Sequence, residues 1–471
     1  MGLLRCLLVS LLLALGHSQE VTAKKKFKGQ VLRRRFEYAD PGKELDRYYL
    51  VVDGSREFEL KGLDATLEDV ETGTYVEGEG IVTDTISDVQ QVTFVPRNDT
   101  KSPPNKIERR ALMFVLNVCT RHLANDSHVF RERASTLEGL FSTCSIGAMG
   151  MTSRVLDPIW IPCQGNTTYG MVYNASQCTD KEFVGWSQYA ERYAVNVLRI
   201  NLQDYPHRVF IVPYTIPGCD WLGLADVGCP DWCRAWIKSG PEGYNVQAVF
   251  HELGHNLGLR HAAGIDGSEY GDYTAAMGGC CDVRCHNAPQ AWSLGWYDPI
   301  LSLNDTMWKR KETTTVAIPA MLSRERNFVR ISLNGSNTFV SYRTESTFPS
   351  AVYVHSFNGT RTNKYFRSQL LAALPQGGFY EQNDWTLNVT DANGTHALVS
   401  LCRTTCDPCA GVCGNGVCEA YAGETCDTCP EDCSRGVTRW GPFCCGAEGQ
   451  CRFHWRCTNQ KVACETECRA A

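Results

Sequence analysis

Four residues between positions 251 and 261 have the types and the spacing of a hydrolytic metal site. His251 and His255 are four residues apart, so on a helix both imidazoles project from one face and can reach one metal ion. Glu252 follows the first histidine, where a carboxylate can serve as a general base. With His261 as a third neutral nitrogen ligand, a tetrahedral zinc ion would keep one position for water.

The neighbouring residues would position this set. A helix is predicted from about Asn245, and Gly258 comes three residues after the second histidine, where glycine adopts a left-handed turn at little cost. The chain can then turn back and deliver His261. The predicted helix also has an apolar stripe that would pack on a sheet beside the metal-binding face, formed by Val246, Val249, Phe250, Leu253 and Leu257.

Two other interpretations of the motif stay open at this point. An ordinary helix can carry His251 and His255 without any metal, and a site can bind zinc without catalysing a reaction. The full pattern H-E-x-x-H-x-x-G-x-x-H is far rarer than a bare pair of histidines, and Glu252 is intact. The sequence therefore favours a catalytic zinc site over both alternatives.

A family resemblance rests on this motif and on the residues after it. Residues 251–261 resemble the metzincin metalloendopeptidases, and residues 280–296, C-C-D-V-R-C-H-N-A-P-Q-A-W-S-L-G-W, resemble the gametolysin subfamily. The likeness covers roughly residues 106–300. It implies an α+β zincin-like catalytic domain with one catalytic zinc ion, in which His251, His255 and His261 are the ligands and Glu252 is the general base. It also implies protein or glycoprotein substrates of a cell wall or extracellular matrix.

The metzincin pattern includes a methionine in a tight turn beneath the metal. Met277 in D-Y-T-A-A-M-G-G stands at a suitable distance, although an ordinary core methionine is the alternative. No tyrosine lies two residues after Met277, so a fifth, tyrosine ligand is not supported there.

The beginning and the composition of the chain indicate an extracellular protein. Residues 1–18 have the positive start, the short apolar run and the small-residue end of a secretory signal peptide. That run is too short to span a membrane, and no other apolar run is long enough. A net charge of −6 gives no reason to expect a nucleic-acid partner. We expect a secreted monomer.

Cysteines and glycosylation motifs agree with secretion. Ten cysteines lie between Cys119 and Cys285 and fourteen between Cys402 and Cys468, so each region can close its own disulfides. Zinc ligation by these cysteines is the less favoured alternative. The candidate glycosylation sites are Asn98, Asn125, Asn166, Asn174, Asn304, Asn334, Asn358, Asn388 and Asn393.

Patterns along the chain predict four regions after the signal peptide. Residues 19–105 contain short alternating runs typical of a small β-rich domain, which is either a pro-segment or a domain that stays attached. Residues 106–300 form the catalytic domain, 301–401 an accessory β-sandwich and 402–471 a disulfide-rich module. The pair Arg109-Arg110 is a candidate release site, or simply two solvated arginines.

Within residues 106–300, four further elements are predicted. Residues 111–118 and 209–214 are apolar runs typical of buried strands, and residues 183–198 have the spacing of a core-facing helix. Residues 221–227, W-L-G-L-A-D-V, resemble the edge strand that lines the metzincin cleft. An extended peptide can pair with such an edge, although a plain edge strand is the alternative.

The carboxyl-terminal regions carry weaker signals. The β-sandwich could bind substrate or glycans, but no cluster of binding residues marks it, which favours a structural role. Asp427, Glu431 and Asp432 could bind calcium, but solvated carboxylates are the simpler interpretation and nothing supports the ion.

Taken together, these patterns predict a secreted zinc endopeptidase. The alternative is a catalytically silent adhesion or matrix-binding protein that keeps the zinc fold for its shape. The long portion after residue 300 favours that alternative, whereas the intact general base and third ligand oppose it.

Overall fold

The structure is a computed structural model, and its described residues form two compact units. The first unit takes the described residues of 1–104, 108–138 and 151–259, and the second takes those of 105–107, 139–150 and 260–471. The structure describes residues 24–38, 45–52, 56–62, 70, 72, 74–82, 85–95, 107–121, 127–168, 170–229, 231–310, 313–364, 366–382, 384–403, 418, 425–427, 429–431, 433, 435–438 and 441–445.

Several predicted features lie outside these described residues. They are the signal peptide at 1–18, the glycosylation motifs at Asn98 and Asn125, Asp432, and most of the disulfide-rich region at 402–471.

Five amino-terminal strands open the first unit. They are β1 Lys25–Tyr38, β2 Leu45–Val52, β3 Arg56–Leu60, β4 Tyr75–Val82 and β5 Thr85–Val95. Exposed and buried residues alternate at the start of β4, as expected for a strand with one face on a core. That core contains Val31, Tyr48, Leu50, Leu60, Val76 and Ile86.

The same sheet continues with strands from the middle of the chain. They are β6 Ile107–Val118, β7 Met149–Val155, β8 Ile159–Ile161, β11 His207–Val212, β12 Trp221–Val227 and β13 Cys233–Lys238, and a separate hairpin is formed by β9 Gln164–Asn166 and β10 Val172–Asn174. The 11-stranded sheet has the order β2-β3-β5-β4-β1-β12-β13-β11-β6-β7, with β8 beside β6. β11 lies parallel to both β6 and β13. The apolar runs predicted as buried strands are β6 and β11.

Strand β12 is not at an edge of this sheet. It pairs antiparallel with β13 on one side and with β1 on the other, where Arg33 is opposite Val227. The prediction that residues 221–227 form an edge strand is therefore wrong for the whole chain, because an amino-terminal strand extends the sheet past them. Among the strands of this sheet that follow residue 106, β12 nevertheless lies at one end and β7 at the other.

Four α-helices and one short 3-10 helix occur in the described residues. They are α1 Ser127–Cys144, α2 Asp180–Asn196, the 3-10 turn Leu202–Asp204, α3 Val246–Asn256 and α4 Ala288–Ser293. The helix predicted over 183–198 is α2, and it begins earlier because the Glu182 carboxylate accepts a hydrogen bond from the Thr179 backbone at 3.2 Å.

The second unit contains two further sheets. The six-stranded sheet has the order β14 Ala262–Ala263, β20 Ser368–Leu374, β19 Ala351–Ser356, β18 Ser336–Arg343, β17 Arg326–Leu333 and β15 Asp298–Asn304. The four-stranded sheet has the order β16 Thr313–Pro319, β23 His396–Arg403, β22 Trp385–Ala392 and β21 Phe379–Gln382. Side chains of both sheets share one hydrophobic core, which includes Val329, Val340, Leu387 and Val399.

Disulfide bonds close the region that was expected to contain them. All ten cysteines between Cys119 and Cys285 are paired among themselves, as Cys119–Cys163, Cys144–Cys285, Cys178–Cys219, Cys229–Cys233 and Cys280–Cys281. In the tail, Cys418 pairs with Cys433, and β24 Arg435–Thr438 forms a hairpin with β25 Gly441–Cys444. The prediction of disulfides is confirmed for these residues.

The candidate glycosylation motifs can be located on the described part of the chain. Seven of the nine candidate glycosylation asparagines fall in the described residues, and none of the seven is buried. Within the described residues, none of the helices has the length and apolarity that a membrane crossing requires.

Candidate metal centre

Helix α3 holds three of the four predicted site residues. The Asn245 side chain caps the helix by accepting a hydrogen bond from the Ala248 backbone at 3.1 Å, which satisfies one amide of the first turn. His251, Glu252 and His255 are 5%, 2% and 1% exposed. A charged or polar side chain is rarely buried this far without a partner or a ligand.

The turn after α3 brings the third histidine to the other two. Gly258 has a φ of 91°, and the Leu259 amide donates to the Gly254 carbonyl at 3.0 Å, which ends the helix as the sequence predicted. His261 follows at once and is 1% exposed. One ligand atom from each of His251, His255 and His261 lies within 4.8 Å of the others.

Hydrogen bonds to two of the three imidazoles define which nitrogen would be available to a metal. Nδ1 of His255 lies 2.9 Å from the Leu259 carbonyl oxygen, which can only accept, so this nitrogen carries the proton. Nδ1 of His261 lies 2.8 Å from Oε1 of Glu269. In the neutral form of both rings, the lone pair therefore resides on Nε2, as is usual when an outer carbonyl or carboxylate orients a metal-binding histidine.

Glu252 is packed against strand β12. A Cβ atom added to Gly223 of β12 would lie 2.2 Å from Oε1 of Glu252, so a side chain at that position would require the carboxylate to move. Glycine at 223 therefore lets the carboxylate lie directly against the strand. Gly223 was not identified from the sequence, because a single glycine in an apolar run gives no sign of which side chain will approach it.

Met277 lies in a tight turn that is tied to the residue after His261. The Ala262 amide donates to the Met277 carbonyl at 2.8 Å, and Met277 is fully buried. Gly278 completes the turn, since a Cβ atom there would lie 1.9 Å from the Asp272 carbonyl oxygen. Residues 272–279 thus form a tight turn, and the place of Met277 beneath a metal stays a prediction.

A buried hydrogen-bond network supports this turn. Asp272 accepts hydrogen bonds from Nε2 of His355 at 3.0 Å and from Nδ2 of Asn287 at 3.0 Å. Burial raises the pKa of the Asp272 carboxyl, but the electrostatic interaction with His355 and the hydrogen bonds from His355, Thr274 and Asn287 outweigh burial and lower the pKa to about 2. The carboxylate is therefore ionised and fixed in place.

A second group of potential ligands occurs among the described residues. His207, Cys229 and Cys233 also bring one ligand atom each to within 4.8 Å of one another. Here, however, the two sulfurs are joined in a disulfide. A disulfide has no thiolate to offer, so this group does not match a zinc site.

The His251, His255 and His261 set does fit a catalytic metal. It offers three neutral nitrogen donors on a short, rigid segment, with a buried carboxylate next in sequence to one of them. This donor set suits zinc with one open position. The sequence predicted His251, Glu252, His255 and His261, and the structure brings them together. It gave no prediction for Glu269, whose only signal was an acidic side chain eight residues after His261.

Comparisons with known proteins address the family of the chain. The profile of one protein family, described as gametolysin peptidase M11, matches residues 126–373, which is more than half of the chain. No curated protein matches.

Solved structures show only distant likeness. One described as a chaperone–substrate complex is 12% identical over 51% of this chain and 35% of its own chain, with a TM-score of 0.24. Metalloproteinase-II from Bacteroides fragilis is 9% identical over 57% of this chain and 90% of its own, with a TM-score of 0.27. OgpA from Akkermansia muciniphila is 11% identical over 65% of this chain and 98% of its own, with a TM-score of 0.26. Scores this low support no argument about the present chain.

Proposed function

The chain belongs to the gametolysin family of M11 peptidases, and on that premise we propose that it is a secreted zinc endopeptidase. The family makes it a metallopeptidase that acts on peptide bonds of proteins. The observation that carries the finer proposal is the convergence of His251, His255 and His261, whose ligand atoms lie within 4.8 Å of one another, beside the buried Glu252.

The three histidines would hold the zinc ion through Nε2. When bound, zinc supplies a Lewis acid for the scissile carbonyl and makes a water molecule acidic enough to be deprotonated near neutral pH. The protein supplies the rigidity of the ligands. The carbonyl of Leu259 holds the His255 ring and the carboxylate of Glu269 holds the His261 ring, each by a hydrogen bond at Nδ1.

Glu252 would move the proton. Its carboxylate accepts a proton from the attacking water and delivers it to the nitrogen of the departing amine, so one group acts first as a base and then as an acid. Burial to 2% exposure and packing against Gly223 limit the positions that the carboxylate can take. Met277 has no chemical role in this proposal, and its turn shapes the floor of the site.

Secretion and substrate class rest on the sequence and the family. The predicted signal peptide, the five disulfides between Cys119 and Cys285, and the accessible glycosylation motifs all support an extracellular location. By resemblance to gametolysins, we propose glycoproteins of a cell wall or extracellular matrix as the natural substrates.

The test is cleavage of a generic protein substrate by the secreted chain and by its Glu252→Ala variant, each with and without a zinc chelator. General acid–base catalysis contributes roughly 10²–10⁴-fold, so the variant should lose at least that much turnover while it keeps its zinc. His128→Ala, which alters an exposed histidine of α1, is the matched control and should cleave like the wild type. Zinc-loaded chain without activity, in both the intact and the amino-terminally cut form, would instead favour the adhesion protein.

A further inference from the structure

The residues that follow His261 enter the six-stranded sheet at once. They form β14, Ala262–Ala263, which pairs parallel with β20 so that Ala262 lies opposite Ser368. The proposed third ligand is therefore followed directly by backbone that is fixed to a strand of residues 301–401. Those are the residues for which the sequence favoured a structural role.

The same backbone is tied to the loop that comes after it, residues 264–279, which we call the ligand loop. The Asp272 amide donates to the Ala262 carbonyl at 3.1 Å. The ligand loop also carries Glu269, whose Oε1 lies 2.8 Å from Nδ1 of His261. The orientation of the His261 ring therefore depends on where the ligand loop is held.

Two strands of the sheet hold the ligand loop through Asp272. Nε2 of His355 in β19 donates to Oδ2 of Asp272 at 3.0 Å. Nδ2 of Asn287 connects the same carboxylate to β20, since it donates to Oδ2 of Asp272 at 3.0 Å and to Oγ of Ser368 at 2.8 Å. All four side chains are fully buried. A buried network of this kind favours one arrangement of its members, because a buried polar group that loses its partner is costly.

Two arginines of the same region also reach the ligand loop. Arg343 in β18 is fully buried, and its Nη1 donates to the Thr274 carbonyl. Arg367 directly precedes β20, and its Nη2 lies 3.7 Å from Oε1 of Glu269, the oxygen that contacts His261. The neighbouring strands β18, β19 and β20, with the residue before β20, thus all contribute contacts to this loop.

We propose that His355, Ser368 and Arg367 are positioning residues for zinc. By holding the ligand loop, strands β19 and β20 keep His261 in the orientation that binds the metal. This inference rests on the proposed function, because it takes His261 as the third zinc ligand. It makes the sheet that contains β19 and β20 a part of the metal site rather than an appendage to it.

The kind of contact favours positioning over stability alone. Burying polar side chains costs free energy that their hydrogen bonds offset, so apolar residues could anchor a loop at no such cost. Hydrogen bonds, by contrast, are directional. Oδ1 of Asp272 accepts from the Thr274 amide at 3.0 Å and from the Thr274 hydroxyl at 2.6 Å, while Oδ2 accepts from His355 and Asn287. Directional bonds on both oxygens fix how the ligand loop is oriented on β19, which a metal ligand on a loop requires.

The first experiment removes the hydrogen bond from β19 in the full-length chain. His355→Leu has no donor for Asp272, so its zinc affinity should fall about 10-fold, the lower end of the loss caused by removing an outer partner of a ligand. Competition with a chromophoric chelator would measure the affinity. His355→Gln, whose amide can donate to Asp272, should restore most of it. His396→Leu is the matched control, because His396 lies in β23 of the four-stranded sheet and should bind zinc like the wild type.

Cobalt(II) in place of zinc gives a readout that a purely stabilising role would not change. The visible absorption bands of bound cobalt depend on the geometry of its ligands, so they should shift in His355→Leu and return in His355→Gln. Circular dichroism would establish that each variant is folded. A folded His355→Leu chain with the zinc affinity and the cobalt spectrum of the wild type would overturn the inference.

A second experiment uses the unaltered chain, so it does not depend on whether His355→Leu folds. Coupling between two sites is reciprocal: if pairing with β20 favours zinc binding, zinc binding must favour that pairing by the same factor. Hydrogen–deuterium exchange of the amides of residues 368–370 should therefore slow about 10-fold when zinc is added to the metal-free chain. The amides of residues 385–389 in β22 are the internal control and should keep their rates. Equal exchange of residues 368–370 with and without zinc would contradict the inference.

Metal binding separates this inference from the proposed function, because neither experiment requires catalysis. A chain that binds zinc and shows both effects, but cleaves no protein, would leave the positioning role intact and reject the endopeptidase. A chain that cleaves protein, but whose zinc affinity ignores His355→Leu and whose β20 amides ignore zinc, would do the reverse.

Discussion

Two groups of potential ligands among the described residues show what a metal site requires beyond proximity. His251, His255 and His261 form one group, and His207, Cys229 and Cys233 form the other. In both, the ligand atoms lie within 4.8 Å of one another. Judged by the distances between ligand atoms alone, the two groups would be equally good candidates for a metal site.

The two groups differ in what their atoms are already bonded to. The sulfurs of Cys229 and Cys233 are bonded to each other, and Nδ1 of His207 lies 3.4 Å from both Cys233 Sγ and Asn256 Oδ1. In the other group, outer acceptors engage Nδ1 of His255 and His261 and direct the lone pairs to Nε2. The chemistry around the ligands, not their spacing alone, distinguishes the proposed catalytic site from a structural cluster.

The largest expected effect is on metal content. His255→Ala should lose the zinc ion and all activity, because two remaining nitrogens do not hold zinc tightly. His207→Gln should keep about one zinc per chain, since its cluster holds none. Zinc in each purified protein would be measured by plasma mass spectrometry.

The comparison of His255→Ala with His207→Gln requires that both variants fold. Circular dichroism should show the same strand content in both variants as in the wild type. Loss of zinc from His207→Gln, or two zinc ions per wild-type chain, would contradict the distinction between the two groups.

The next effect concerns the pH dependence of stability. Burial, followed by the charge of Arg109, lowers the pKa of His207 to about 4. Unfolding would return the pKa to about 6.5, so below that pH the unfolded chain binds a proton that the folded chain does not. The free energy of unfolding should therefore fall by up to about 3 kcal/mol as the pH drops from about 6.5 to about 4.

Urea unfolding at several pH values would measure this slope in the wild type and in His207→Gln. The slope of the variant should be shallower, whatever its absolute stability. A chelator should not alter the contribution of His207. If a chelator changed the difference between the wild-type slope and the His207→Gln slope, the His207 cluster would hold a metal.

The sequence could predict those features that depend on residues close to one another in the chain. The start of α3 at Asn245, its end before Gly258 and the return of the chain to His261 depend on residues within one or two turns, and all were predicted. The disulfide connectivity and the pairing of β1 with β12 join residues far apart in the chain, and no local pattern encodes the partner.

The error on residues 221–227 has the same origin. The run W-L-G-L-A-D-V indicated a strand correctly, but its position at an edge depends on whether another strand adds to it. The roles of Gly223 and Glu269 were missed for a related reason, because each is defined by one contact with a site residue in the folded chain.

A smaller effect should follow from placing a methyl group beside Glu252, the proposed general base. The His207 cluster has no carboxylate among its members. In Gly223→Ala, the new Cβ atom would start 2.2 Å from Oε1 of Glu252, so the carboxylate must move. Misplacement by about 1 Å can cost on the order of 10²-fold, so kcat should fall by about that factor with zinc retained. Gly139→Ala is the control, because a Cβ atom there meets nothing within 4 Å. Unchanged kcat in Gly223→Ala would argue against Glu252 as the base.

The smallest effect should come from the carboxylate that orients His261, the feature that most clearly has no counterpart around the disulfide-bonded cluster. Loss of such an outer partner typically weakens metal binding about 10–100-fold, so Glu269→Ala should release zinc to a chromophoric chelator at correspondingly lower chelator concentration. The zinc affinity of Glu269→Gln, which keeps an oxygen acceptor for Nδ1 of His261, should fall between that of Glu269→Ala and that of the wild type. Asp266→Asn alters an exposed carboxylate that caps Ser268 on the same loop, so it should bind zinc like the wild type. If Glu269→Ala held zinc as tightly as the wild type, the hydrogen bond to His261 would be a packing contact, and the two groups would differ only by the disulfide.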